Sequence, residues 1–167
     1  MTEENTGDNP VTLILGVGNV ALADEAFGPQ VVRRLREYRF PEHVRMHDGA
    51  VAGFDLLGYL EGVERLVIVD VMKMELEPGD IGWLDLDDEL KASGRIEMSF
   101  HQVGILELLQ IAELIGHKPQ VHFLVTRPVK VEWSFEMTPP VRQAVDKAVS
   151  YLVEKFHGLP SGDDTNT

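Results

Sequence analysis

The chain has 167 residues, 44% of them hydrophobic and 26% charged, which suits one soluble domain with its own core. It contains no cysteine, so disulfide scaffolds, thiolate metal sites, iron–sulfur clusters and cysteine nucleophiles are excluded. A formal net charge of −13 repels nucleic-acid phosphates and anionic lipid, and no apolar run reaches the roughly 20 residues of a membrane helix.

Residues 1–10 are polar and acidic, unlike a secretory signal, and read as a disordered tail of a cytoplasmic protein. Residues 12–17 form a continuous apolar run ending near glycine, the pattern of a strand buried on both faces. A helical stripe of Phe27, Val31, Val32 and Leu35 follows, with Pro29 near its start and Arg33, Arg34 and Glu37 opposite. Residues 44–47 read as a second strand running into Asp48-Gly49, and 54–60 as a short helix. Residues 66–71 read as a second fully buried strand, and 81–86 as an alternating, edge-like strand. A strongly apolar helix over 103–115 ends at Gly116. Another strand spans 121–125 and an amphipathic helix spans 141–156, before a second polar tail at 158–167. The body, 11–157, is one domain of the α/β class. Its expected form has three layers, with a mostly parallel twisted sheet of about five strands and helices on both faces. In such sheets the functional residues lie at the carboxyl ends of the strands.

Three segments fall at those ends. Gly16-Val-Gly18-Asn-Val-Ala21 formally satisfies a dinucleotide-binding pattern, and Asp48 could pass for its ribose-binding acid. Asp24 and Glu25, however, stand at the start of the following helix, where a pyrophosphate would need the positive helix end free. The glycines fit better a tight turn that delivers Glu25 to the sheet edge. Asp24 can complement the helix dipole. Asp70 closes Leu66-Val-Ile-Val69, where a buried carboxylate needs a partner or a cation. Ser99 and Gln102 fit a capping box that sets His101 in a first helical turn, where the dipole favours neutral imidazole. His47, beside Asp48, is a further candidate. Two carboxylates and one imidazole suit a divalent cation such as Ni²⁺, Zn²⁺ or Mn²⁺ and leave positions open for water or substrate.

The blocks Ile14-Leu-Gly-Val-Gly-Asn19, Asp24-Glu25-Ala-Phe-Gly28, Asp48-Gly49, Val67-Ile-Val-Asp70 and Ser99-Phe-His101-Gln-Val-Gly104 resemble, in that order, the landmarks of hydrogenase maturation endopeptidases. The resemblance spans about residues 12–156. It implies an aspartyl-type endopeptidase that removes a C-terminal extension from the precursor of a nickel–iron hydrogenase large subunit after nickel insertion. It also implies that Glu25, Asp70 and His101 contact the nickel, that the nickel belongs to the substrate, and that the free protein holds no metal; a monomer is the separate expectation. Asp48 is the candidate for a catalytic acid–base or orienting role. A general metallohydrolase with its own divalent ion, or a chaperone that grips the precursor without cutting it, remain alternatives. Two stretches depart from the family pattern. Ala50-Val51 stands where glycine and threonine are common, and Val125-Thr-Arg-Pro128 where a glycine-containing segment with proline and glutamate is common. Both loops are expected to shape the peptide groove.

Overall fold

The computed structural model describes residues 9–49, 55–87, 97 and 99–162. In chain order these form β1 (Thr12–Gly16), a 3-10 turn (Ala23–Ala26), α1 (Phe27–Leu35), β2 (Tyr38–Arg39), β3 (Val44–Asp48), α2 (Leu56–Tyr59), β4 (Arg65–Val71), β5 (Ile81–Asp85), α3 (Phe100–Leu114), β6 (Gln120–Thr126), α4 (Pro139–Lys155) and β7 (Leu159–Pro160). The main sheet has the order β3-β1-β4-β6-β5. Its first four strands are parallel, and β5 lies antiparallel on the edge against β6. The expected α/β architecture and the edge position of residues 81–86 are thus both observed.

Alternation along each strand sorts the side chains onto two faces. Ile14, Val67, Val69 and Leu124 face α1 and α4, meeting Phe27, Val31, Leu35, Val145 and Leu152. Leu13, Leu15, Leu66, Ile68 and Phe123 face the other way, against Leu56, Leu60, Ile105 and Leu108 of α2 and α3 and their flanks. Burying side chains of this size stabilises by about 1.5–3 kcal/mol each. The sheet is therefore fixed from both sides, and its carboxyl edge is a rigid ledge. Among the described residues no helix is long and apolar enough to cross a membrane.

Three boundaries differ from the expectations. The apolar helix begins at Phe100, not Val103, because Ser99 caps it and the capped turn starts at the next residue. The helix expected over 54–60 is shorter, Leu56–Tyr59, with Phe54 outside the described residues. Residues 158–160, expected in a tail, continue the ordered chain: Leu159 and Pro160 pair antiparallel with Arg39 and Tyr38. After α4, His157 adopts a left-handed φ of 58° and Gly158 lies so close to Phe40 that a Cβ would meet its ring at 2.8 Å. The chain is thereby turned back onto β2. Backbone pairing of this kind needs no apolar pattern, so a polar, glycine-containing stretch conceals it. The rest of the expected tails, residues 1–8 and 163–167, lies outside the described residues.

Candidate active site

β1 delivers the chain to the centre of the carboxyl edge. Its last residue, Gly16, is in register with Asp48 of β3 on one side and Val69 of β4 on the other. The glycines that follow serve close backbone packing. A Cβ on Gly28 would lie 2.2 Å from the Val69 carbonyl oxygen, so the start of α1 sits directly on the sheet edge. Gly18 has φ +146°, and a Cβ there would lie 1.9 Å from the Glu25 carbonyl oxygen. The 3-10 turn thus folds back onto its own glycine. In a dinucleotide site that glycine lets a pyrophosphate approach the backbone. Here the backbone of Glu25 fills the space, and the nucleotide reading loses its physical basis.

Asp24 does far more than complement a helix dipole. It is fully buried. Its Oδ2 accepts hydrogen bonds from the backbone N–H groups of Val129 and Lys130, both at 2.8 Å. Its Oδ1 accepts from the Thr138 N–H at 2.7 Å and from the Thr138 hydroxyl at 2.9 Å. Thr138 is the residue that opens α4. The backbone repeats the tie: Asp24 N–H donates to the Lys130 carbonyl at 3.1 Å, and Ala23 N–H donates to the Ser134 carbonyl at 2.8 Å. Ala23 holds a left-handed φ of 51°, a conformation that costs an alanine about 1–2 kcal/mol. These contacts sustain it. The turn carrying Glu25 is therefore pinned to the loop between β6 and α4. Proline at the first positions of α4 marks where that helix starts, but nothing local to Asp24 signals its partners more than 100 residues away.

Glu25 and Asp48 share an unusual state. Among the described residues, two buried side-chain oxygens lack a hydrogen-bond partner, Glu25 Oε2 and Asp48 Oδ1, and both sit at this edge. A buried, unpaired carboxylate oxygen is costly unless something outside the chain satisfies it. Asp70, on β4 one residue beyond the partner of Gly16, is also buried. Burial is the main cause that pushes its pKa up from 3.8 to about 7, and the nearby Glu25 charge adds to it. Opposing this, Asp70 accepts hydrogen bonds from Val71 N–H at 2.8 Å and from Gln102 Nε2 at 2.9 Å.

Gln102 links the third element to the edge. Its Oε1 accepts from Ser99 N–H at 2.8 Å, its own N–H donates to Ser99 Oγ, and its Nε2 also donates to the Val71 carbonyl at 2.9 Å. The capping box inferred from Ser99 and Gln102 is thus present, and it anchors the first turn of α3, which contains His101, to the end of β4. His101 is half-buried. Asp70 and Glu25 are close enough to interact electrostatically, but among the described residues no three histidine or acidic side chains converge tightly enough to hold an ion alone. The donor set of two carboxylates and one imidazole still suits a divalent cation that brings ligands of its own. His47 stacks on Tyr59, with ring centroids 3.9 Å apart, which gives it a packing role. A groove of ≈ 490 Å³, lined by Lys73, Met74, Glu75, Arg127, Pro128, Val129 and Val131, follows the loops that leave β4 and β6 at this edge.

The sequence and the fold that carry this edge have counterparts among known proteins. The family model described as hydrogenase maturation protease matches residues 29–155. The hydrogenase expression/formation protein HupD of Bradyrhizobium diazoefficiens is 36% identical over 154 residues, covering 88% of this chain and 80% of that protein. The hydrogenase 2 maturation protease of Escherichia coli is 33% identical over 144 residues, covering 84% of this chain and 87% of that one. In three dimensions the chain is similar to the hydrogenase maturating endopeptidase HybD from Escherichia coli, with a TM-score of 0.79 at 29% identity, over 92% of this chain and 99% of that one. With most of its length matched in sequence and in fold, the chain belongs to the hydrogenase maturation protease family.

Proposed function

We propose that this peptidase removes the C-terminal extension of a nickel–iron hydrogenase large-subunit precursor, and that it recognises the precursor by its inserted nickel. The unpartnered buried oxygen of Glu25, beside a carboxylate with pKa about 7, carries this reading. Buried carboxylate oxygens left unpaired at a strand edge favour a cation arriving with the substrate. Glu25, Asp70 and His101 are the groups assigned to it. The nickel then arrives as part of the substrate and brings the remaining ligands.

Docking through these three groups would set the scissile peptide bond at the edge and turn a slow bimolecular hydrolysis into a positioned one. Water adds to the carbonyl carbon, the C–N bond breaks, and the proton lost by water passes to the departing amine. Asp48, with an unpartnered buried oxygen on the far side of β1, is assigned a supporting acid–base or orienting role. The test is to incubate the purified protein with nickel-loaded and nickel-free precursor and follow the size of the large subunit. Shortening of the loaded form alone is expected. Equal cleavage of both forms would remove nickel recognition, and no cleavage of either would leave a non-cutting chaperone.

A further inference from the structure

Residues 129–135 alternate apolar and polar in the manner of a strand with one covered face, yet no strand forms there. Val129, Val131, Trp133 and Phe135 are all exposed, Trp133 at 81% and Phe135 at 83%. Large aromatic side chains so exposed on one short segment mark an interaction surface more often than they decorate a surface. The loop is also held firmly. Its feet, Lys130 and Ser134, stand on Asp24 and Ala23 through main-chain hydrogen bonds, and the Asp24 carboxylate clamps Val129 and Lys130 from below. Val131, Glu132 and Trp133 form the tip between those feet. Val129 and Val131 line the groove at the carboxyl edge together with Arg127 and Lys73.

We propose that this loop is a docking platform for an apolar surface of the polypeptide substrate, next to the bond to be cut. The proposal deepens the function proposed above and rests on it. The position, charge and rigidity of the loop select this occupant. Two of its residues, Val129 and Val131, line the groove at the edge where a protease must receive a polypeptide, and the loop is pinned to the very turn that carries Glu25. A second copy of this chain would bring another charge of −13, which opposes self-association through a patch of this size. An anionic membrane is repelled by the same charge. The platform is preorganised, so binding it costs little ordering of the loop. Aromatic residues flanked by polar neighbours are the side chains that dominate such contacts.

The test uses the full-length protein and nickel-loaded precursor. Trp133→Ser with Phe135→Ser is expected to raise KM for the precursor about 30-fold, the scale of one binding hot spot. The thermal midpoint should not move, because neither side chain is buried. Phe135→Leu, which keeps an apolar side chain, is expected to recover most of the loss. The chain has two tryptophans. In Trp83→Phe, Trp133 is the sole reporter, and precursor is expected to shield it from acrylamide quenching. Unchanged KM in the double serine variant, or quenching unaffected by saturating precursor, would overturn the platform. A wild-type dimer that the serine substitutions convert to monomer would also overturn it, by assigning the patch to a second copy. If the wild type leaves the precursor uncut, the peptidase reading falls, and quenching alone then decides the platform.

Discussion

The two ends of the sheet both carry acidic and histidine side chains, and they use them in opposite ways. At the amino end of β6, His122 Nδ1 lies 2.6 Å from Asp85 Oδ1, and Trp83 Nε1 donates to the same oxygen at 3.0 Å. Asp85 is exposed, and its hydrogen bond with His122 lowers its pKa. This end also borders a cavity of ≈ 540 Å³. This pair is made within the chain, and its Asp85 side is open to water. At the carboxyl end, Glu25 and Asp48 keep buried oxygens without partners and Asp70 is held near neutrality in its titration. The cavity at the amino end is therefore the less informative of the two sites. Chemistry is indicated where carboxylate oxygens are buried and left unsatisfied at a strand edge, and not merely where there is a hollow.

The contrast is sharpest in activity. Glu25→Ala, Asp70→Ala and His101→Ala should each lower precursor cleavage by more than about 100-fold, beyond the loss typical of residues that only support a ligand. Gel mobility of the large subunit reads the effect, and retention of activity in any one of them would remove that residue from the trio. Within the carboxyl edge, Asp24 and Glu25 are sequence neighbours with opposite roles. Asp24→Ala leaves three part-buried backbone N–H groups without their acceptor and should cost about 3 kcal/mol of stability, seen as a fall in the urea midpoint.

Asp70 gives the next effect, with a defined direction. Its folded pKa is raised, so between about pH 4 and pH 7 the folded protein keeps a proton that the unfolded chain has shed. Its contribution to stability is therefore complete below about pH 4, falls as pH rises to about 7, and then levels off. A shift from 3.8 to about 7 is worth about 4 kcal/mol in full, and an asparagine retains part of the burial cost. Asp70→Asn should accordingly gain roughly 2–3 kcal/mol over wild type at pH 8 and little at pH 4. Thermal melts at the two pH values check this, and equal shifts at both would refute the burial account. Smallest of all should be Asp85→Asn, with less than about 1 kcal/mol lost and cleavage unchanged within about twofold, since the pair it breaks is exposed.

Much of this arrangement is legible in the residues themselves because its signals are local. The run Leu66–Val69 names its own strand, Ser99 and Gln102 announce their own cap, and Gly116 its own stop, with φ +94°. The edge nature of Ile81–Asp85 follows from its alternation. What escaped is non-local. Asp24 reads as one more acid at a helix start, because its four hydrogen bonds come from a loop and a helix at the far end of the chain. The second task of Gln102, holding Asp70, is hidden by the first, since a capping glutamine needs no further partner. Pairing of Leu159 with Arg39 is carried by backbone atoms that every residue possesses.

The clamp on Asp24 has a dynamic consequence. One carboxylate supplies the acceptor for the amides of Val129 and Lys130 and for the residue that opens α4. Withdrawing that carboxylate therefore releases all three amides at once. The glycine turn, the aromatic loop and the first turn of α4 thus open and close as a single cooperative unit. Local breathing at any of the three is felt at Glu25, so the reactive edge inherits the stability of segments far from it in the chain.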